Sequence, residues 1–351
     1  MPTTQATLTP KDIRARIESV PRVRLAHLPT PLEPLPRFSE ALGGPTVFIK
    51  RDDCTGLAFG GNKTRHNEFL LADALEKGAD MLVWGAGVQS NNCRQTVASC
   101  AKLGLDVHLV LGRGHSDEIQ GNLLLDHILG ATYEIVDAPV GPELDDLITE
   151  TADKFRAQGR KVYNWDRDIV SGKAAVSYTL CMAELVEQLE DQAVSPDAFY
   201  TCSAGSTGAG LALGKAALGV DGPLINMLPI HWPWDEPEDM AALANEAAEL
   251  IDVPYRLTAD DIIVDDTCIG PGYGVPTAEG MEAIALLART EGILVESTYT
   301  GKALAGLIQH VRDGRYSPDQ SIIFIHTGGT PALFATREDI VRMMPARTLS
   351  S

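Results

Sequence analysis

Met81-Leu82-Val83-Trp84-Gly85-Ala86-Gly87-Val88-Gln89-Ser90-Asn91-Asn92 is the stretch on which the fold turns. Four consecutive apolar residues suit a strand covered on both faces. Glycine, serine and asparagine then break the run, and apolar residues return at helical spacing over 95–103. Strand, polar loop and helix make half of a parallel βαβ unit. The same order recurs along the chain. Strands are predicted at 46–50, 81–84, 107–111, 133–136, 161–163, 198–201, 224–228 and 322–325. Helical patterns include 67–76, 95–103, 120–129, 144–156 and 301–311. The expected architecture is α/β, with mostly parallel twisted sheets covered by helices.

The chain has 351 residues, which at roughly 150 per domain is room for two such sheets. Its 44% hydrophobic and 22% charged residues are ordinary for a globular protein and argue against disorder. By eye, no run approaches the roughly 20 apolar residues of a membrane span, so no membrane association is expected. The first residues show no apolar secretory core, which makes the cytoplasm the expected compartment. A net charge of −19 repels phosphate backbones, so nucleic acid is a poor partner. Six cysteines occur without a CxxC pair, so metal spacing is absent and reduced, mostly buried thiols are expected, Cys54 among them. The acidic stretch 235–249 reads as a solvated helix face, not as a metal site.

In open parallel sheets, ligands sit beyond the carboxyl ends of the strands. Three such ends carry small polar residues and then start a helix: Gly85 to Asn92, Cys202-Ser203-Ala204-Gly205-Ser206-Thr207-Gly208, and His326-Thr327-Gly328-Gly329-Thr330-Pro331. Each presents backbone N–H groups and hydroxyls at the positive end of a helix. One loop would be ordinary capping; three favour a ligand with phosphate and carboxylate groups. No GxGxxG or GxxxxGK[ST] pattern appears, which speaks against a dinucleotide or ATP.

Gly60-Gly61-Asn62-Lys63-Thr64-Arg65 is the segment with most chemistry. The glycines permit close approach of the backbone to a ligand, and a buried lysine amine there is a nucleophile towards an aldehyde. On spacing alone, an exposed lysine on a flexible loop is the better reading. The two tyrosines Tyr273 and Tyr299 read as core aromatics with a bonded hydroxyl, and His326 as a hydrogen-bonded core histidine. Trp232 and Trp234 suit either a lid or a subunit contact.

Taken together, Ile49-Lys50-Arg51-Asp52-Asp53-Cys54-Thr55-Gly56, the Lys63 segment, Gln89-Ser90-Asn91, Gly205-Ser206-Thr207, Gly272-Tyr273-Gly274-Val275-Pro276-Thr277, Tyr299-Thr300-Gly301-Lys302 and His326-Thr327-Gly328-Gly329 resemble one family. It is the pyridoxal-phosphate (PLP) enzymes of the tryptophan-synthase-β-like fold (fold type II), in the group of D-cysteine desulfhydrase, 1-aminocyclopropane-1-carboxylate (ACC) deaminase and L-cysteate sulfo-lyase. The resemblance implies that Lys63 binds the PLP aldehyde and shuttles the substrate α-proton. Asn62 would flank it, and Ala204, Gly205, Ser206 and Thr207 would cradle the phosphate. Asn91 would meet the cofactor's 3-oxygen, and Thr327 its ring nitrogen. Ser90, with Asn91 and Asn92, would grip the substrate carboxylate. Tyr299 would face the ring with Tyr273 near the substrate, either able to trade a proton. No metal is implied.

The same resemblance implies a smaller unit, 63–170, inserted into a larger one of 1–62 plus 171–351, with PLP in the cleft between them, and a homodimer. Ring-opening relatives carry glutamate directly after the tyrosine; here Thr300 stands there. The expected reaction is therefore β-elimination from a small amino acid. ACC deamination, or a PLP-binding protein without turnover, are the alternatives. Four places depart from the family pattern: Asn92 for histidine, His66-Asn67 for Lys-Leu, the segment 169–178, and His231-Trp232-Pro233-Trp234-Asp235. All four border the expected substrate side, which points to a subfamily with its own substrate.

Overall fold

The computed structural model describes residues 7–114 and 118–344. Its strands are β1 (Leu32–Pro34), β2 (Thr46–Arg51), β3 (Met81–Gly87), β4 (Asp106–Gly112), β5 (Thr132–Val136), β6 (Val162–Asn164), β7 (Ala198–Cys202), β8 (Leu224–Met227), β9 (Ile263–Asp265) and β10 (Ser321–His326). They form two sheets, ordered β1-β2-β10-β7-β8-β9 and β5-β4-β3-β6. Every pairing is parallel except β1 with β2. All eight predicted strands form. The two that the pattern misses, β1 and β9, are three-residue edge strands that each hold only two apolar residues or a proline, so no apolar run marks them. β1 also holds Pro34, tolerated only where no further strand needs its missing N–H.

Sheet order explains the loops. β2, β10 and β7 are parallel neighbours, with His326 level with Arg51 and Ile325 level with Thr201. The chain therefore leaves all three at the same end of the six-stranded sheet. Gly328 (φ 96°) crosses so close to Gly61 (φ 126°) that a Cβ on it would stand 2.7 Å from the Gly61 Cα. Only glycine satisfies both the left-handed backbone and that approach.

The helix Arg167–Gln192 is the spine of the core, buried along Val170–Leu185 nearly without interruption. In length and apolarity it reaches the range of a membrane span, a property the sequence reading passed over; here its apolar faces are covered by protein. The acidic helix Glu236–Leu250 behaves as expected, burying Met240, Leu243, Ala244 and Ala247 and leaving most of its carboxylates outward. Cys54 is a correction: it is exposed, because the short helical turn Asp52–Cys54 buries Asp52 instead. Its thiol is pushed up by partial burial and by Asp53, so it is no thiolate nucleophile. Cys93, Cys100, Cys181 and Cys202 are buried, and all six are free.

Under the cleft lies a buried ion network. Lys50, Asp52, Arg65 and Glu184 are all within 3% of full burial. Arg65 Nε and Nη2 donate to Asp52 at 2.8 Å each, and Nη2 also donates to Glu184 at 2.9 Å. Lys50 donates to Glu184 at 2.5 Å, and Tyr178 donates to Asp52 at 2.6 Å. Two cations face two carboxylates, so the cluster is neutral. It ties β2, the Asp52 turn, the helix Asn62–Glu76 and the helix Arg167–Gln192 to one another.

Candidate active site

The loops after β2, β3, β7 and β10 surround one cleft of about 230 Å³, sized for small molecules. Asn62, Lys63, Ser90, Asn91, Asn92, Ala204, Gly205, Ser206, Thr207, Tyr273, Tyr299 and Thr327 all line it. The sequence reading had named each of them.

Lys63 is the second residue of the helix Asn62–Glu76 and half-buried. No hydrogen bond or ion pair engages its amine among the described residues, and burial pushes its pKa down to about 8. A buried guanidinium fixes the backbone just before it: Arg94 donates to the carbonyls of Ala58 and Gly60. Ala58 (φ 44°) and Phe59 (φ 69°) sit in the left-handed region, a strained turn that Arg94 staples in place. Arg94 also donates to Asn122 at 2.8 Å, and Asn122 donates to Asn91 Oδ1 at 2.9 Å. One polar chain thus joins Asn91 to the lysine loop. Asn62 N–H donates to the Thr327 carbonyl at 2.9 Å, and Asn62 Nδ2 to Thr207 at 3.0 Å.

Gly205 starts the helix Ser206–Ala217 without a side-chain cap, so the N–H groups of Ser206 and Thr207 have no intrahelical acceptor. Ser203 Oγ accepts from Gly205 and Gly208 instead, shaping the loop and leaving the groups between free. His66 is buried against Thr207, its ring 3.2 Å from the hydroxyl. Burial, with Lys63 and Arg65 nearby, holds it well below the usual histidine range, so it is neutral.

The phenols of Tyr273 and Tyr299 share a hydrogen bond, with ring centroids 5.8 Å apart at 73°. Burial pushes Tyr273 up to about 12 and Tyr299 higher, so both are protonated at neutral pH. Both rings are half-buried with bonded hydroxyls and line the cleft, and Tyr299 also packs against the hydrophobic core, so the core reading holds in part for it. Glu296, which the sequence reading missed, orients Tyr299 by accepting the N–H groups of Thr298 (2.7 Å), Tyr299 (2.8 Å) and Thr300 (2.9 Å). Lys302 does the same for Tyr273, donating to the carbonyls of Ile269 and Gly272. His326 is the expected core histidine, its Nε2 3.0 Å from the Leu294 carbonyl and its Nδ1 accepting from Gly328 N–H.

Ser90 has a structural use besides the expected one. Its Oγ caps the helix Asn91–Leu103, accepting from the N–H groups of Asn92 and Cys93 at 3.1 Å each. It still lines the cleft, with its hydroxyl proton left to donate. Asn92 Oδ1 accepts from Thr96 at 3.3 Å. Asp145, Trp165, Arg167, Ser171, Trp232 and Trp234 also line the cleft. Of these the sequence had marked Ser171 through its departure from the family pattern, and Trp232 and Trp234 both through that departure and as a lid or subunit contact.

A family profile described as pyridoxal-phosphate dependent enzyme matches residues 23–328. The chain belongs to that family. It is 39% identical over 322 residues to D-cysteine desulfhydrase of Klebsiella pneumoniae subsp. pneumoniae, covering 90% of this chain and 96% of that one. The enzyme of the same name from a second Klebsiella pneumoniae strain is 40% identical over the same shares. A solved structure described as an ACC deaminase homologue superposes with a TM-score of 0.87 at 34% identity, covering 95% of this chain and 99% of its own. A fungal L-serine ammonia-lyase from Rhizomucor miehei, at 18% identity and a TM-score of 0.60, shares the fold.

The residues present fit PLP. An unpartnered amine of lowered pKa faces the cleft, as an aldehyde needs. Free N–H groups stand at a helix N-terminus for a phosphate. A Cβ built at Gly205 meets nothing within 4 Å, so the space beside that loop is open. Gly205→Ala is expected to fold normally, because φ 175° is ordinary extended backbone. The added methyl should weaken PLP binding about tenfold by crowding the phosphate. Titration of apoenzyme with PLP, followed by cofactor absorbance, measures the change.

Proposed function

We propose that this PLP-dependent enzyme is a lyase that removes the β-substituent of a small amino acid, the reading supported by its similarity to the D-cysteine desulfhydrases. For a substituent X, the balance is X–CH2–CH(NH3⁺)–COO⁻ plus water giving HX, ammonium and pyruvate. The observation that carries this reading is the surroundings of Tyr299. Thr300 is buried and hydrogen-bonded with Glu296, while the Glu296 carboxylate is spent on backbone N–H groups and lies outside the cleft lining. No carboxyl group therefore stands where the ring-opening relatives place their glutamate.

PLP, when bound, supplies the electron-withdrawing ring that acidifies the substrate α-C–H. Lys63 is the base that takes this proton, its lowered pKa matching the task at neutral pH. The loop at Ala204, Gly205, Ser206 and Thr207 holds the phosphate by N–H groups and hydroxyls. Asn62 braces that loop through Thr207. Asn91 would hold the 3-oxygen, and Thr327 would offer its hydroxyl to the ring nitrogen. Ser90, Asn91 and Asn92 grip the substrate carboxylate, Ser90 by its hydroxyl proton. Tyr273, relayed by Tyr299, protonates the leaving group.

A screen of D- and L-cysteine, β-chloroalanine, cysteate, serine and ACC for keto-acid release tests the assignment. Pyruvate from β-substituted substrates is expected. Preferential 2-oxobutyrate from ACC, or no product from any, overturns it. Tyr273→Phe is expected to lower kcat about 100-fold while PLP stays bound, measured by single-turnover pyruvate release.

The same reading makes 63–170 a smaller unit that closes over the cleft against 1–62 plus 171–351. It also makes the protein a cytoplasmic homodimer acting on a small amino acid, with neither nucleic acid nor membrane as partner. Sedimentation measures the oligomeric state.

A further inference from the structure

The cleft holds two charged side chains that the elimination does not use. Asp145 lies in the first turn of the helix Pro142–Ala157, and Arg167 is the first residue of the helix Arg167–Gln192. Both line the cleft, yet they do not pair with each other. Arg167 is held from behind: Nη2 donates to Asp239, and its guanidinium lies 4.5 Å from the ring centroid of Trp234. Trp234 in turn stacks on Trp232 at 5.0 Å and 11°. This column fixes the guanidinium and leaves Nε and Nη1 without protein acceptors. Asp145 forms no ion pair among the described residues, although Arg167 attracts it from farther off. Burial pushes its carboxyl up to about 6, so it is mostly ionised at pH 7. Trp165 and the more distant Arg167 charge offset part of that burial, and a ligand ammonium in direct contact would offset more of it.

The walls set the shape. Three of the chain's four tryptophans, Trp165, Trp232 and Trp234, line the cleft. A Cβ at Gly141, one turn before Asp145, would stand 3.8 Å from the Trp232 ring, so aromatic groups close this end against the Asp145 helix. A bare thiol would leave both charges unmet, and a sulfonate would meet Arg167 alone. We propose that this end is a second head-group site, taking a β-substituted amino acid whose leaving group itself ends in an amino-acid zwitterion, ammonium to Asp145 and carboxylate to Arg167. The inference rests on the β-elimination reading. The bond from the β-carbon to sulfur breaks, and sulfur keeps the pair and gains a proton. It departs as the thiol of the second amino acid, while the remaining three carbons become pyruvate and ammonium with one water consumed.

The test compares three substrates on PLP-loaded enzyme, in both configurations at the reacting carbon: lanthionine, S-isobutylcysteine and β-chloroalanine. The second copies the shape of the first with methyls in place of its distal charges; the third is too short to reach them. Wild type is expected to favour lanthionine over S-isobutylcysteine at least tenfold in kcat/KM, through KM. Asp145→Asn and Arg167→Met are each expected to cut that ratio about tenfold. Turnover of β-chloroalanine with equal or reversed preference between the thioethers overturns the head-group site alone. A preference that survives both substitutions overturns it too. Failure to release pyruvate from any of the three overturns the elimination reading, and the head-group site with it.

Discussion

Lys63→Ala is expected to lower turnover by about 10³-fold or more, because both its proposed roles end together. The amine that holds the cofactor aldehyde is gone, and so is the base for the α-proton. No neighbour substitutes for it: His66 is neutral and turned to Thr207, and Arg65 is committed to Asp52 and Glu184. Gel filtration should strip PLP from the variant and leave it on wild type, a result read from absorbance without any assay. Covalent capture of PLP by the apoenzyme has its own pH signature. Burial disfavours the ammonium form, so the free amine dominates above about 8 rather than above the ordinary lysine value. Capture should rise with pH and level off past that point. A rise continuing to pH 10 would mean an exposed, ordinary lysine.

Asp52→Asn should cost about 3–5 kcal/mol of folding stability, the range for removing one partner of a buried ion pair. The cluster of Lys50, Asp52, Arg65 and Glu184 is neutral only as a whole. Without the Asp52 charge, a net positive charge stays buried beneath the cleft. Urea unfolding of the variant measures the loss, against a typical total of about 5–15 kcal/mol. Acid should act on the same group. Burial alone would raise the Asp52 carboxyl, but the Arg65 guanidinium overrides it and holds it down to about 2. Glu184 is lowered as well, its burial outweighed by Arg65. A depressed carboxylate stabilises fully above its unfolded value, near 4, and that stability is lost as pH falls towards 2. Arg65 stands two residues from Lys63, so the Asn variant should also hold PLP more weakly.

Much of this was legible in the chain because it is local. Strand, polar loop and helix follow one another within some twenty residues, so periodicity found eight of the ten strands, and loop composition found the ligand end of the sheets. The resemblance supplied the roles of Lys63, Tyr273, Tyr299 and Thr327. Long-range pairings stayed hidden. Nothing near Arg94 in sequence announces that it staples Ala58 and Gly60, thirty-odd positions back. Glu296 reads as a surface carboxylate until the turn at Thr298 to Thr300 wraps around it. Asp145 and Arg167 lie in different helices, and only folding brings them to one cleft. Cys54 was misread because short helical turns hide which of two neighbours points inward. The span-like apolarity of 167–192 escaped because its polar residues are spread along the helix.

The helix Arg167–Gln192 joins two of these features. Its first residue lines the cleft, and Glu184, seventeen residues on, anchors Arg65 roughly 25 Å away along the axis. On the proposed reading, a single rod carries selectivity at one tip and coenzyme retention well inside. Drift near the tip is free to swap one nutrient for another without loosening the vitamin, which makes the first turns of this rod the natural place to re-engineer the enzyme.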